Sequence, residues 1–289
     1  MSRIAYVNGR YAPSAQASVS IQDRAFVFGD GVYEVCEVRG GLLIDEERHL
    51  ARLRRSLEAT RISWPVGERA LRLILRETVR KNLVRDGLVY LQISRGAARR
   101  DHGFPASSVR PGLVVVARSL DPSAGAARAA AGVAVISLPE QRWTRPDIKS
   151  LQLLPNVLAK QAAREAGAFE AWFVDRDGFV TEGASTNAWI VASDGTLVTR
   201  KADETILHGV ARARLLDVAK NLALRFEERA FTVSEAKDAR EAFLSSATLV
   251  ATSVVSIDGA AIGDGKPGAV VEALRRAFHG VAEKSGRRL

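Results

Sequence analysis

Apolar residues in this chain arrive mostly in short runs, and the clearest helical patterns interrupt those runs as a pair rather than in strict alternation. Strand-like runs come first at Ile4–Asn8, Val32–Val38 and, after a Gly40-Gly41 turn, Leu42–Ile44. Leu50, Leu53 and Leu57 then recur on one helical face, and Leu71, Ile74, Leu75 and Val79 on another. Strands at Leu88–Ser94 and Leu113–Ser119 follow. This order is that of an α+β fold, because a doubly wound parallel sheet would alternate strand with helix throughout. Further on, strands fit Val133–Leu138, Ala171–Asp175, Ala188–Ala192 and Leu197–Thr199, and helices fit Asn156–Ala166, Val210–Leu222 and Ala269–Val281. The small-residue stretch DPSAGAARAAAG reads as a linker. The expected organisation is therefore a domain over 1–120, a linker over 121–132 and a second domain over 133–289.

Composition narrows the function classes. With 47% hydrophobic residues in 289, a substantial core is available and disorder is excluded as the main state. One cysteine, Cys36, allows no internal disulfide framework and no multi-thiolate zinc site. No apolar run is long enough to span a bilayer, and Met1–Arg10 lacks the apolar core of a signal peptide, so a cytoplasmic protein is expected. The charge balance of 42 basic against 33 acidic residues gives +9, but only eight of the basic residues are lysine. Glu46, Glu47, Arg48, Arg52, Arg54 and Arg55 intermix on one helix, as on a solvated face. No basic run interleaves with stacking aromatics, so nucleic acid is not an expected partner. An anionic small molecule is compatible with the sign of the charge.

In so lysine-poor a chain, Lys149 stands out: it lies in DIKSLQLLPN between Ile148 and Leu151. An amine in apolar surroundings shifts its pKa and can act as a nucleophile, as Arg cannot. Three more segments carry candidate groups. TEGASTN (181–187) sets a carboxylate, Glu182, before glycine and small hydroxyl residues. RGAARRDHGFP (95–105) clusters Arg and His, which can bind a carboxylate through charge-assisted hydrogen bonds. FGDGVYE (28–34) feeds the Tyr33 hydroxyl into a strand through a tight turn.

Six segments in register carry a resemblance over most of the chain: DRAFVFGDGVYEV (23–35), RHLARL (48–53), SRGAARRDHGFP (94–105), DIKSLQLLPNVLAKQ (147–161), VTEGASTN (180–187) and ILHGVAR (206–212). Together they resemble the fold-type IV pyridoxal-phosphate enzymes, and among those the D-amino acid aminotransferases. The resemblance implies the two-domain α+β architecture of that group, with the Schiff-base lysine in the C-terminal domain. It implies pyridoxal 5'-phosphate as cofactor and no metal. Lys149 would form the Schiff base and then carry the proton between substrate and cofactor carbons. Glu182 would face the pyridine nitrogen and keep it protonated. Arg52 would hold the phosphate, completed by the backbone around Val210 and Ala211 at a helix start and by Ser246, Ala247 and Thr248. Leu207 would pack against the ring.

Tyr33, Arg100 and His102 would trap the substrate α-carboxylate beside Val35. The Arg and His would come from the partner of a homodimer, whose active sites lie at the interface. The implied reaction moves an amino group from a D-amino acid such as D-alanine to a 2-oxo acid such as 2-oxoglutarate, by a ping-pong route through the pyridoxamine form. A branched-chain L-amino acid aminotransferase, an (R)-amine transaminase or an aminodeoxychorismate lyase would share the fold. Two positions depart from the family pattern: Ala211 and Ala247 stand where hydroxyl donors are common. Glu37 stands where the family often has a basic residue. Two residues along the strand from Val35, it would disfavour acidic substrate side chains.

Overall fold

The computed structural model describes residues 3–286 and separates into two compact units. The first contains the chain up to Asp121, the segment Ile148–Gln152 and the chain from Glu283 onward. Its elements are β1 (Ile4–Val7), β2 (Arg10–Pro13), α1 (Arg24–Phe28), β3 (Gly31–Arg39), β4 (Leu42–Ile44), α2 (Glu46–Thr60), α3 (Glu68–Lys81), β5 (Gly87–Ser94) and β6 (Gly112–Ser119). An antiparallel sheet runs in the order β4-β3-β5-β6-β1-β2, with the two-residue strand Lys284–Ser285 on the outer side of β4.

Strand periodicity decides what this sheet buries. Along β3, Val32, Glu34, Cys36 and Val38 are buried, while Tyr33, Val35 and Glu37 are half-buried on the opposite face. The buried face meets Leu50, Leu53 and Leu57 of α2 and Leu71, Leu75 and Val79 of α3 in one core. The charges of α2 do not form the uniformly solvated face expected from sequence. Glu46 and Arg52 are buried, whereas Glu47, Arg54 and Arg55 are exposed. The buried pair find partners elsewhere: Arg76 Nη2 lies 2.6 Å from Glu46 Oε2, and Arg52 pairs with Glu34.

The second unit holds Pro122–Asp147 and Leu153–Ala282. Its elements are α4 (Pro122–Ala131), β7 (Val133–Pro139), α5 (Leu154–Glu165), β8 (Glu170–Val174), β9 (Val180–Gly183), β10 (Asn187–Val191), β11 (Leu197–Thr199), α6 (Val210–Asn221), β12 (Phe226–Glu228), α7 (Val233–Lys237), β13 (Glu241–Ser246), β14 (Val250–Ile257), β15 (Ala260–Ala261) and α8 (Ala269–Val281). A mixed sheet runs β12-β11-β10-β13-β14-β7-β8-β9, with β15 paired to β14. Its core includes Trp172, Ile190, Val198, Phe231, Leu244 and Val254.

Two features differ from the expected organisation. The stretch read as a linker is the helix α4, since alanine is the strongest helix former and proline is tolerated at its first position. Lys149 falls in the first unit, because the segment Ile148–Gln152 docks on β3. Tyr33 N–H donates to Lys149 O (3.0 Å), Leu151 N–H donates to Gly31 O (3.0 Å), and Val32 bridges Ser150. Gly31 permits this approach: a Cβ there would lie 2.6 Å from both Ile93 O and Leu151 Cδ1. Among the described residues no helix is long and apolar enough to cross a membrane.

Candidate active site

In the first unit the lysine and tyrosine singled out from sequence meet. Lys149 Nζ lies over the Tyr33 ring, 4.2 Å from its centroid. The lysine backbone is fixed on both sides: its N–H donates to Ser56 Oγ (3.3 Å) and its carbonyl accepts from Tyr33. The register β3–β5 sets Tyr33 opposite Gln92 and Val35 opposite Tyr90. The Tyr33 and Tyr90 rings are 5.7 Å apart, and the Tyr90 hydroxyl donates to Gln92 Oε1 (2.9 Å). Burial, and secondarily the Tyr33 hydroxyl, push the Tyr90 phenol up to about 12. Val35 and Glu37 continue this face along the strand.

Behind that face, Glu34 gathers Arg52 and His49. Arg52 donates from Nε to Glu34 Oε1 (2.7 Å) and from Nη2 to Oε2 (2.8 Å), and His49 Nδ1 lies 2.8 Å from Oε2. Burial alone would raise the Glu34 carboxyl, but Arg52 and His49 hold it well below the usual carboxylate range. Arg52 thus commits two of its nitrogens to a buried acid. Sequence reasoning missed Glu34 and His49. The available signal was an acid in the apolar phase of a strand.

Arg100 and His102 lie on an exposed loop after β5, where both pack on Phe28. The Arg100 guanidinium carbon is 5.2 Å and the His102 ring 5.3 Å from the Phe28 centroid. Among the described residues, no hydrogen bond, ion pair or ring contact joins either to Tyr33 or Lys149 of the same chain.

In the second unit Glu182 is buried at the end of β9 rather than exposed on a turn. Its carboxylate pairs with Arg142 through Oε1, accepts from Leu207 N–H at Oε1 (3.0 Å) and accepts from Asn187 Nδ2 at Oε2 (2.8 Å). Burial pushes the Glu182 carboxyl above its ordinary value, and Arg142 opposes that push. For Arg142, burial alone would lower the pKa. Glu182 and Glu140 more than offset it, so the guanidinium stays charged. Glu140 Oε2 lies 2.6 Å from Arg142 Nη2 and also accepts from Thr181 Oγ1 (2.8 Å). The loop beyond Glu182 is tied down by buried Glu170, which accepts from Ser185 Oγ (2.6 Å) and Ser185 N–H (3.2 Å). Arg142, Asn187 and Glu170 were not read from sequence, since nothing in the order of letters separates a buried ion pair from a solvated one.

Asn187 also donates to Leu207 O (3.1 Å), so the residue expected to pack on a ring and the expected counter-charge share one partner. Gly209 precedes α6, and no side chain caps this helix. A Cβ at Gly209 would run into Asn187 Oδ1, which leaves the helix start bare. Val210 and Ala211 are buried in its first turn. The positive end of a twelve-residue helix without a side-chain cap is where an anion is favoured. Ser246 ends β13, paired with Val250, and Ala247 and Thr248 begin the turn to β14, with Thr248 exposed.

Residues 31–257 match the family model described as Amino-transferase class IV. The chain is 39% identical over 271 residues to a D-alanine aminotransferase of Bacillus licheniformis, covering 94% of each chain. It is 36% identical over 273 residues to a D-alanine aminotransferase of Staphylococcus aureus (strain N315), covering 94% of this chain and 95% of the relative. Among solved structures, a branched-chain amino acid aminotransferase of Escherichia coli superposes with TM-score 0.89 at 24% identity, over 97% of this chain and 95% of that one. A hypothetical aminotransferase from Mycobacterium tuberculosis, in its PLP-bound form, superposes with TM-score 0.81 at 24% identity, over 95% of this chain and 98% of that one. The two structural likenesses bear on the fold, which is the fold-type IV α+β architecture expected from sequence, built on two sheets.

Proposed function

The chain belongs to the amino-transferase class IV family, and we propose that it moves an amino group from a D-amino acid, D-alanine foremost, to a 2-oxo acid such as 2-oxoglutarate. The observation that carries the reading is Lys149 Nζ held 4.2 Å from the Tyr33 ring centroid: one reactive amine beside one phenol. The nearly full-length likeness to D-alanine aminotransferases supports the choice of substrate.

The cofactor is pyridoxal 5'-phosphate, and the donor set fits it. A half-buried lysine amine suits its aldehyde, a buried carboxylate suits its pyridine nitrogen, and an uncapped helix start suits its phosphate. When bound, the cofactor supplies an electron sink for the carbon from which the substrate proton leaves. The chain supplies the rest. Lys149 Nζ would carry that proton. Glu182, paired with Arg142, would face the pyridine nitrogen and favour its protonated form. Backbone N–H groups of Val210 and Ala211, with Arg52, Ser246, Ala247 and Thr248, would hold the phosphate, and Leu207 would pack on the ring. Alanine at 211 and 247 removes two hydroxyls worth about 1 kcal/mol each, so the helix start carries more of that binding.

The substrate carboxylate is held by Tyr33 together with Arg100 and His102 of the partner subunit, with Val35 on the same strand face. The resemblance carried by SRGAARRDHGFP (94–105) supports delivery of Arg100 and His102 across a homodimer. The corresponding setting is the cytoplasm, with neither membrane nor nucleic acid as partner. A spectral titration of the purified protein tests the reading. D-alanine should abolish the cofactor absorbance band and leave pyruvate. If L-leucine does so and D-alanine does not, the D-specific assignment is wrong.

A further inference from the structure

Arg24 opens α1, and its side chain is only 5% exposed. It reaches three acceptors in three directions. Nε donates to Asp30 Oδ2 (2.7 Å), Nη1 to Asp101 O (2.6 Å) and Nη2 to His102 O (3.5 Å). The guanidinium carbon also sits 4.8 Å from the Phe28 centroid, one turn along the same helix. Asp30 does not depend on Arg24 for its place. Arg95 grips both its oxygens, Nε to Oδ2 at 2.8 Å and Nη2 to Oδ1 at 2.9 Å. Arg95 in turn donates to Thr60 O (2.8 Å) and Arg61 O (3.0 Å) at the end of α2. Arg24 is therefore fastened to a fixed acid and stretches out to two carbonyls of an exposed loop.

One of those carbonyls belongs to the residue after Arg100, and the other to His102 itself. Arg100 and His102 both rest on Phe28, the ring that Arg24 also contacts. Arg100, Asp101, His102, Gly103 and Phe104 are all exposed. Beyond Arg24, the loop tip is held by the Phe104 ring, whose centroid lies 3.8 Å from the Arg95 and 4.6 Å from the Arg61 guanidinium carbon, and by Gly103 N–H donating to Asp101 Oδ1 (2.9 Å). A planar guanidinium can satisfy three divergent acceptors at once, whereas an ammonium is a point donor on a flexible stem.

We propose that Arg24 is a positioning residue for substrate binding: by holding the Asp101 and His102 carbonyls it presents Arg100 and His102 to the substrate carboxylate. The proposal rests on the reading that Arg100 and His102 bind that carboxylate, and it assigns Arg24 an effect on affinity and not on proton transfer. Arg24→Met removes the fork but leaves Asp30 neutralised by Arg95, so the framework keeps its buried ion pair.

The test uses the full-length protein loaded with pyridoxal phosphate. D-alanine affinity and the limiting rate are read from the first half-reaction by stopped-flow absorbance. Propionate, a carboxylate without an amine, is titrated by ligand-observed NMR. Cofactor affinity and the thermal midpoint are followed alongside. Loss of the two carbonyl contacts in Arg24→Met should weaken D-alanine and propionate about tenfold, with the limiting rate within about threefold and cofactor affinity unchanged. Arg24→Lys, which reaches fewer acceptors, should fall between. On an Arg100→Ala, His102→Ala background, Arg24→Met should add less than about twofold, because it acts through those residues.

Affinities within about twofold of the parent for Arg24→Met, while the Arg100→Ala, His102→Ala protein is strongly weakened, would overturn the positioning role and leave the carboxylate reading intact. Full additivity of the two sets overturns it as well. If Arg100→Ala, His102→Ala itself binds D-alanine like the parent, the carboxylate reading falls and the proposal with it. Should Arg24→Met not fold, Arg24→Lys is judged by the same criteria.

Discussion

Replacing Arg142 by methionine should make this enzyme depend on alkaline pH. Both partners are nearly sheathed, with 8% of the Arg142 side chain and 4% of the Glu182 side chain exposed. Removing one member of such a pair costs about 3–5 kcal/mol if the other stays charged. Glu182 has a cheaper course, which is to take up a proton. Burial has already raised Glu182, and losing the guanidinium that opposes burial raises it further. Asn187 Nδ2 and Leu207 N–H remain as donors but are neutral. At pH 7 the variant should then lose at least about tenfold in kcat and recover as pH rises through the shifted pKa. Stability should move the other way. A carboxyl whose folded pKa lies above its unfolded value makes folding less favourable as pH rises. The two observables are kcat between pH 6 and 9.5, assayed by pyruvate release from D-alanine, and urea midpoints over the same interval. A folded Arg142→Met protein whose kcat profile superimposes on the parent's would show that Arg142 does not set the charge of Glu182. Arg142→Lys should behave as an intermediate.

Three further substitutions probe the other supports. Lys149→Arg should abolish the cofactor absorbance band and turnover while shifting the thermal midpoint by less than a few degrees, since the residue is only half-buried; turnover at the parental rate would refute its role. Glu34→Gln should cost about 3–5 kcal/mol near pH 7, because buried Arg52 loses its carboxylate. That penalty should shrink below about pH 4, where the unfolded parent takes up the proton that folded Glu34 resists; a penalty constant from pH 3 to pH 7 in urea titrations would contradict the ion-pair account. Gly209→Ala should displace Asn187 and weaken pyridoxal phosphate at least about tenfold, with a smaller effect on pyridoxal, which has no phosphate to place at the helix start. Equal losses for both compounds by fluorescence titration would move the phosphate elsewhere.

What could be read from sequence follows from how each signal arises. Elements with one buried and one more exposed side announced themselves by period. Helix α8 (Ala269–Val281) has the bounds expected from the pattern, and β3 (Gly31–Arg39) encloses the strand expected over Val32–Val38. The neighbouring β13 and β14 escaped because they are buried along most of their length, so no polar alternation marks them. Helix α4 escaped for the opposite reason, since it buries no residue and offers only alanine propensity where a stripe was sought.

The site divides in the same way. Lys149, Tyr33, Glu182 and the α6 start lie in segments whose residue types are constrained by what they would touch, and these segments carry the family resemblance. Of the residues that hold them, Arg24, Glu34 and Asn187 lie in those same segments without a role being legible there, and Arg142 lies outside them. Glu34 holds Arg52, Arg142 and Asn187 hold Glu182, and Arg24 holds the loop of Arg100 and His102. Each is a polar side chain of a type that usually meets water; Asn187 lies five positions from Glu182, but the others become informative only when a partner from farther along the chain is brought beside them. Arg142 lies 40 positions from Glu182, and Arg24 lies 77 from Asp101. The buried charges of a site are therefore the part that folding must disclose, and they are the part on which the charge state of Glu182 and the setting of Arg100 rest.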